Sequence, residues 1–298
     1  MRRLYSAAVE PSLLTSWSFD PLQLAPIAIV GLAYAVRART LSRRGTPVPG
    51  WRLLLFAAGL GLLVLALASP LATVGEDELF SAHMLQHVVV GDLAPLLLLG
   101  GLTGPLLRPV LALRAVERLR VLANPVVALP IWTANLVLWH MPPLYEAAVE
   151  HGLVHAVEHA SFFAAGVAVW LPVLETLPAP EWFGTGAKLG YVVVVRLVET
   201  VVGNVFIWAG RPFYDVYVQP DEPWGIGALQ DQGLAGAVMM AEGGLVTLVA
   251  LAWLFLRMAQ EGEVRQELLE RGLDPRAVRR AVRYGRWKEL QERSPAAR

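Results

Sequence analysis

Seven apolar runs, each close to the length of a membrane-crossing helix, limit what this chain can become. They fall near 18–36, 51–69, 80–100, 124–140, 155–174, 187–209 and 234–257. About 20 helical residues cross the ~30 Å hydrocarbon layer of a bilayer, and backbone in that layer must satisfy its own hydrogen bonds, which favours the helix. Charged residues are only 17% of the 298, against the ~25% usual for soluble domains. The expected fold is therefore all-α: an integral membrane protein with seven transmembrane helices. The fourth run contains Pro125 and Pro130, which predicts a tilted or kinked span. Residues 105–113 are too few to cross and are expected along the interface.

Basic residues in short loops set the orientation, because they are retained inside. The first loop carries Arg37, Arg39, Arg43, Arg44 and Arg52, and the third carries Arg108, Arg114, Arg118 and Arg120. The second loop offers Glu76, Asp77 and Glu78, the fourth Glu146 and Glu150, and the sixth sets Arg211 against Asp215, Asp221, Glu222 and Asp231. Odd loops are thus expected inside and even loops outside, with the N-terminus out and the C-terminus in. Arg2 and Arg3 run against this tally, and Glu10 and Pro11 interrupt any signal-peptide core. The predicted division is a transmembrane domain over 1–257 and a basic cytoplasmic tail over 258–298. Within the tail, residues 276–288 hold six basic residues and no acid, interleaved with Val278, Val282, Tyr284 and Trp287. That pattern suits a basic amphipathic segment on an anionic leaflet and equally suits a solvated helix.

All six histidines lie between positions 83 and 159, and cysteine is absent. Thiolate sites and disulfides are thereby excluded. His83 and His87 are four residues apart near the outer end of the third span, as are His155 and His159 in the fifth. Residues at i and i+4 share a helical face, so each pair can hold one metal ion. His151 extends the second stripe outward, and His140 closes the fourth span. Met84, Met141, Met239 and Met240 gather at the same end. A single buried histidine is ordinarily a packing residue; six on one membrane face favour a site. The expected metal ligands are His83, His87, His155 and His159, with His140, Met84, Met141, Met239 and Met240 as auxiliaries and His151 too far out. Glu158 can be a ligand, a rim residue or a carboxylate orienting an imidazole; the last is the expectation. Ala82, Ala156 and Ala160 are small enough to let the two helices approach. Imidazole suits zinc, copper, iron and nickel, and thioether favours Cu(I), so the four methionines tilt the expectation towards copper, with zinc as the alternative.

Three further polar groups fall within spans. Arg196 and Glu199 are three residues apart and are expected to pair on one helix face. Asp92 follows His87 by five residues, which on an α-helix turns it about 140° away and leaves it to a different partner such as Arg196. Asp231 and Glu242, at the outer end of the last span, are read as solvated or cation-recruiting.

At these residues the chain resembles the CtaG-type family of bacterial cytochrome c oxidase assembly proteins. One block is His83-Met84-Leu85-Gln86-His87 followed by Ala94-Pro95-Leu96-Leu97-Leu98-Leu99-Gly100. A second runs Trp139-His140-Met141-Pro142-Pro143-Leu144-Tyr145-Glu146 through His155, Glu158-His159 and Trp170-Leu171-Pro172-Val173. The third is Asp231-Gln232-Gly233-Leu234-Ala235-Gly236 with Gly243-Gly244, where Met240 and Glu242 depart from the family's tryptophan and proline. The resemblance implies a non-catalytic protein of the bacterial cytoplasmic membrane that helps mature a haem–copper oxidase by handling copper, Cu(I) rather than Cu(II). It implies oxidase subunits and a periplasmic copper chaperone as partners, not nucleic acid, and leaves homo-oligomerisation open. Two rivals stand on the residues alone: an intramembrane zinc hydrolase with Glu158 or Asp92 as base, and a haem-binding electron-transfer protein with opposed histidine ligands.

Overall fold

Apolar runs of this length adopt the conformation that closes its own backbone hydrogen bonds. A computed structural model describes residues 15–113, 120–177, 179–218, 224–283 and 285–292. Among them the regular structure is all helical. In chain order the helices are α1 (Pro21–Arg43), α2 (Gly50–Ala68), α3 (Pro70–Asp77), α4 (Phe80–Gly101), α5 (Gly104–Leu111), α6 (Pro125–Trp139), α7 (Pro142–Glu150), α8 (Gly152–Leu174), α9 (Thr185–Trp208), α10 (Ala228–Glu270), α11 (Pro275–Arg283) and α12 (Trp287–Glu292). Six are long and apolar enough to cross a membrane: α1, α2, α4, α8, α9 and α10. The protein is therefore an all-helical membrane protein. Helix α6 is apolar but has only 15 residues, about 22 Å of axis. Of the residues used to orient the chain, Arg2, Arg3, Arg114, Arg118, Asp221 and Glu222 lie outside the described residues, as does Tyr284 of the tail.

The chain forms two compact units, Met1–Ala179 with Leu197–Gly243, and Pro180–Arg196 with Gly244–Arg298. In the first, α4 lies between α2 and α8. Phe56, Leu63 and Ala66 of α2 pack on Val89, Val90, Ala94 and Leu98 of α4. Helix α4 is tied at both ends. The residue before it, Leu79, has no capping side chain, so the Asp231 carboxylate reaches over from α10 and accepts from Phe80 N–H at 2.6 Å and Ser81 N–H at 3.1 Å. At the far end Arg52 donates to the Gly100 and Leu102 carbonyls at 3.0 and 2.6 Å. An anion at the positive end and a cation at the negative end both complement the helix dipole. Asp231 is buried, so it is a cap and not the solvated or cation-recruiting group expected of it.

Midway, α4 departs from α geometry. Pro95 has no N–H, and a proline ring crowds the carbonyl four residues back, here that of Gly91. Residues Val89–Leu93 form a π turn, with Ala94 N–H bonded to Val89 O. The approach of α4 to α8 is centred there. A Cβ on Gly166 would overlap the Gly91 carbonyl oxygen. The expected small contacts are different ones: Ala156 and Ala160 are exposed and Ala82 is only half-buried, because the stripe bearing the histidines, not the alanines, faces α4.

The third sequence block holds α9, α10 and the segment between them together. Gln232 accepts from Phe213 N–H at 2.7 Å and donates to the Arg211 carbonyl at 3.3 Å. Gly236 lets α10 meet α9, since a Cβ there would lie 2.5 Å from Gly203 O.

In the second unit α10 continues beyond residue 257 to Glu270, and α11 folds back beside it. Val278 and Val282 are buried on Leu268, with Trp287 alongside. The apolar face of the tail is thus covered by the protein's own helix and is not presented to a leaflet. Arg257 pairs with Glu261 at 2.9 Å, and Thr185 donates to Glu261 at 2.7 Å.

Removal of the Asp231 carboxylate leaves two buried N–H groups without an acceptor, at ~1–3 kcal/mol each. Asp231→Ala is expected to lower unfolding stability in detergent by roughly 2–4 kcal/mol, and Gly166→Ala to destabilise at least as strongly. Gly61→Ala, where nothing lies within 4 Å of an added Cβ, should not lower the thermal midpoint, since alanine is the better helix former.

Candidate metal centre

Helix α4 begins at Phe80, so His83 and His87 occupy its first two turns on the face towards α8. Helix α8 begins at Gly152, and His155 and His159 lie on its facing stripe. One ring nitrogen from each of the four lies within 4.8 Å of the others. Their residues are 0, 4, 7 and 8% exposed, in sequence order. Ring centroids are 5.2 Å apart for His83–His155 and 5.4 Å for His87–His159. Imidazole–metal bonds of ~2.0–2.1 Å in a tetrahedron place ligand nitrogens roughly 3.3 Å apart, so a small inward closure makes a four-nitrogen site.

Hydrogen bonds fix the His83 ring. Tyr217 OH is 2.8 Å from the Gly75 carbonyl, 3.1 Å from His83 Nδ1 and 2.9 Å from Tyr145 OH. A carbonyl only accepts, so the Tyr217 proton goes to Gly75, and its oxygen accepts from His83 Nδ1–H and Tyr145 O–H. Burial pushes the phenols of Tyr217 and Tyr145 up, so both keep their protons. His83 is thereby held with its proton on Nδ1 and a lone pair on Nε2. Without a metal that lone pair accepts from His87 Nε2, 2.8 Å away. His155 Nε2 and His159 Nε2 are buried with no hydrogen-bond partner.

Glu158 is fully buried on α8, and neither carboxylate oxygen has a hydrogen-bond partner. Its Oε2 is 3.7 Å from His87 Nε2 and 4.0 Å from His83 Nε2. These separations exceed a hydrogen bond, so the carboxylate lies beside the His83 and His87 ring nitrogens without bonding to either. At the mouth, Glu76 lies 3.4 Å from His155 Nδ1. Burial, and then the charge of Asp77, push its carboxyl up to about 7.

The other expected residues separate. His151 precedes α8 with extended backbone and is exposed, so the stripe begins at His155. Met141 is 50% exposed. Met240 packs on Gly203, its sulfur 3.8 Å from Asn204 Nδ2. Met84, His140 and Met239 line a cavity of about 40 Å³ further along α4, with His87, Asp92, Glu199 and Glu242 on its wall. Arg196 and Glu199 both lie on α9. Asp92 accepts from Trp170 Nε1–H and is hydrogen bonded to Glu242. It shares the cavity with His87, where α-helical spacing predicts divergence, because an i→i+5 turn brings residues five apart nearly into line.

Sequence reasoning missed the hydroxyl pair behind His83. Tyr145 lies within the second block quoted above, but no spacing rule connects Tyr217, 134 residues from His83, to the cluster.

A family model described as cytochrome c oxidase caa3 assembly factor matches residues 32–261. An uncharacterised protein of Mycobacterium bovis, Mb0105, is 24% identical over 274 residues, as is MT0111 of Mycobacterium tuberculosis. ML1998 of Mycobacterium leprae is 22% identical over 269 residues. These alignments take in 84, 84 and 83% of this chain but only 40% of each relative. No solved structure matches it. With the family model matching most of its length, the chain belongs to the cytochrome c oxidase caa3 assembly factor family.

Proposed function

We propose that the protein binds copper as Cu(I) between α4 and α8, with His83, His87, His155 and His159 as ligands, and passes it to a haem–copper oxidase during assembly. The observation that carries this reading is the closeness of the four ring nitrogens beside an unpartnered, fully buried carboxylate. An ionised carboxylate in low dielectric without a partner is costly. A monovalent cation held by four neutral imidazoles next to Glu158 gives a locally neutral site. When bound, copper is cargo, and no chemistry at the metal is needed. The residues hold it, exclude water from it and, through Tyr217, keep the His83 lone pair aimed at it. Four protein ligands fill a four-coordinate ion, whereas a zinc hydrolase keeps one position for water, so this donor set favours carriage over hydrolysis.

The proposal includes the setting: the bacterial cytoplasmic membrane, with α6 as a short seventh span, the N-terminus outside and the chain beyond 257 inside. The cluster then opens outward, where a periplasmic donor can load it and the oxidase can receive copper.

Two measurements test this. Single cysteines are diagnostic because the chain has none. Glu150→Cys, at an exposed position, should react with an impermeant thiol reagent in intact cells, and Arg43→Cys only after lysis; the opposite pattern refutes the orientation.

Purified wild-type protein should carry copper by elemental analysis. His87→Ala/His155→Ala should lose most of the copper bound at the cluster while still inserting, and cells bearing only that variant should show reduced oxidase activity with oxidase polypeptides still made. Copper content unchanged by the double substitution would make the histidines packing residues.

A further inference from the structure

The cavity beyond the cluster has donors of its own. His140 Nδ1 lies 2.7 Å from the Leu136 carbonyl, so its proton is committed there and Nε2 keeps its lone pair. That nitrogen is buried and without a hydrogen-bond partner. His87 is 4% exposed and meets the cluster through Nε2, while its Nδ1 is buried and unpartnered. Both rings line the cavity, and Met84 (1% exposed) and Met239 (6% exposed) line it too. The unsatisfied His140 nitrogen beside two buried thioethers exceeds what a packing role requires.

The size is adequate: about 40 Å³, against the ~10–15 Å³ that one water needs. The charge is also suitable. Asp92 and Glu242 are hydrogen bonded to each other, and a bond between two carboxyl groups needs a proton on one of them. With Glu199 also on the lining, acidic groups edge the cavity, which favours a cation over an anion. The π turn makes the arrangement, since it places Asp92 on the same side of α4 as His87.

We infer that this cavity is a second, inner site for a soft monovalent metal ion, Cu(I), with His140 Nε2 and the sulfurs of Met84 and Met239 as its donors. His87 is the wall between the two sites. Bound to the cluster ion through Nε2, it turns an Nδ1–H towards the inner cavity and contributes no ligand there. Imidazole with thioethers selects Cu(I) over divalent ions. The inference takes the identity of the ion from the reading of the four-histidine cluster, but the inner site stands on different residues.

The test is Cu(I) stoichiometry and X-ray absorption of the purified full-length chain under anaerobic reducing conditions. Without cysteine, any sulfur neighbour of copper must come from methionine. Wild-type protein should bind about two ions per chain with mixed nitrogen and sulfur neighbours. Met84→Leu/Met239→Leu, a nearly volume-conserving change, should bind about half as much, with sulfur scattering gone and nitrogen scattering kept. His83→Ala/His155→Ala should also bind about half, with the sulfur contribution enriched. Wild-type copper with nitrogen neighbours only, or Met84→Leu/Met239→Leu with unchanged stoichiometry and spectrum, overturns the inner site. Full copper in His83→Ala/His155→Ala refutes the four-histidine reading instead, and sulfur scattering lost in the methionine variant would still establish the inner site. A thermal midpoint for Met84→Leu/Met239→Leu matching wild type distinguishes lost ligands from lost fold.

Discussion

The helices that carry the histidines meet where neither has a side chain. The backbone of α8 at Gly166 lies so close to the Gly91 carbonyl of α4 that a methyl group on Gly166 would not fit. In a bilayer, helix association depends on such close packing, because burying apolar surface gains little against lipid. His87 and Gly91 are four residues apart on α4, and His159 and Gly166 seven apart on α8, so the nearer histidine of each pair lies one or two turns from the crossing. The spacing of the four rings is therefore set by backbone contact rather than by the flexible side chains around them.

The π turn links this contact to the chemistry. Pro95 displaces the Gly91 carbonyl from its ladder, the turn widens to hold an extra residue, and the freed carbonyl lies against Gly166. The same extra residue resets the angular phase of α4. The histidines on its N-terminal side still face α8, and Asp92, on the far side, turns onto the wall shared with His87, His140 and Met239. Asp231 and Arg52 fix the two ends of this irregular helix, so the departure from α geometry stays local.

The sequence made the membrane class and the histidine faces legible because both depend on periodicities internal to one segment: twenty apolar residues, and ligands at i and i+4. What it did not reveal depends on partners distant in the chain. Asp231 reads as a rim acid until it is seen to cap a helix 151 residues away. Asp92 reads as pointing elsewhere because α spacing was carried through a turn that is not α. Ala156 and Ala160 read as contact residues by size, yet Gly166, set against the Gly91 carbonyl, makes the approach. Val278 and Val282 read as a lipid face until Leu268 covers them. The auxiliary methionines were grouped by their common end of the chain's spans, and their separation into a cavity residue (Met84, Met239), an exposed one (Met141) and a packing one (Met240) is a tertiary fact.

The polar network behind the cluster is asymmetric, and under the proposed copper-carrying function that asymmetry bears on how an ion would be held and released. His83 is backed by Tyr217, Tyr145 and Gly75 O, a chain of hydrogen bonds that fixes one tautomer. His155 faces the half-exposed Glu76, and His159 Nε2 and His87 Nδ1 have no partner at all. Metal-ligating imidazoles are ordinarily oriented by a hydrogen bond from the other ring nitrogen. Here His83 is the most firmly oriented of the four: His155 has only the half-exposed Glu76 carboxylate at 3.4 Å, and His87 Nδ1 has no partner. A storage or catalytic centre gains from fixing every ligand. A carrier gains from a single fixed anchor with loosely held companions, since an incoming acceptor can then replace ligands one at a time from the His155 side, where Glu76 marks the exposed mouth, while His83 keeps hold until the last exchange.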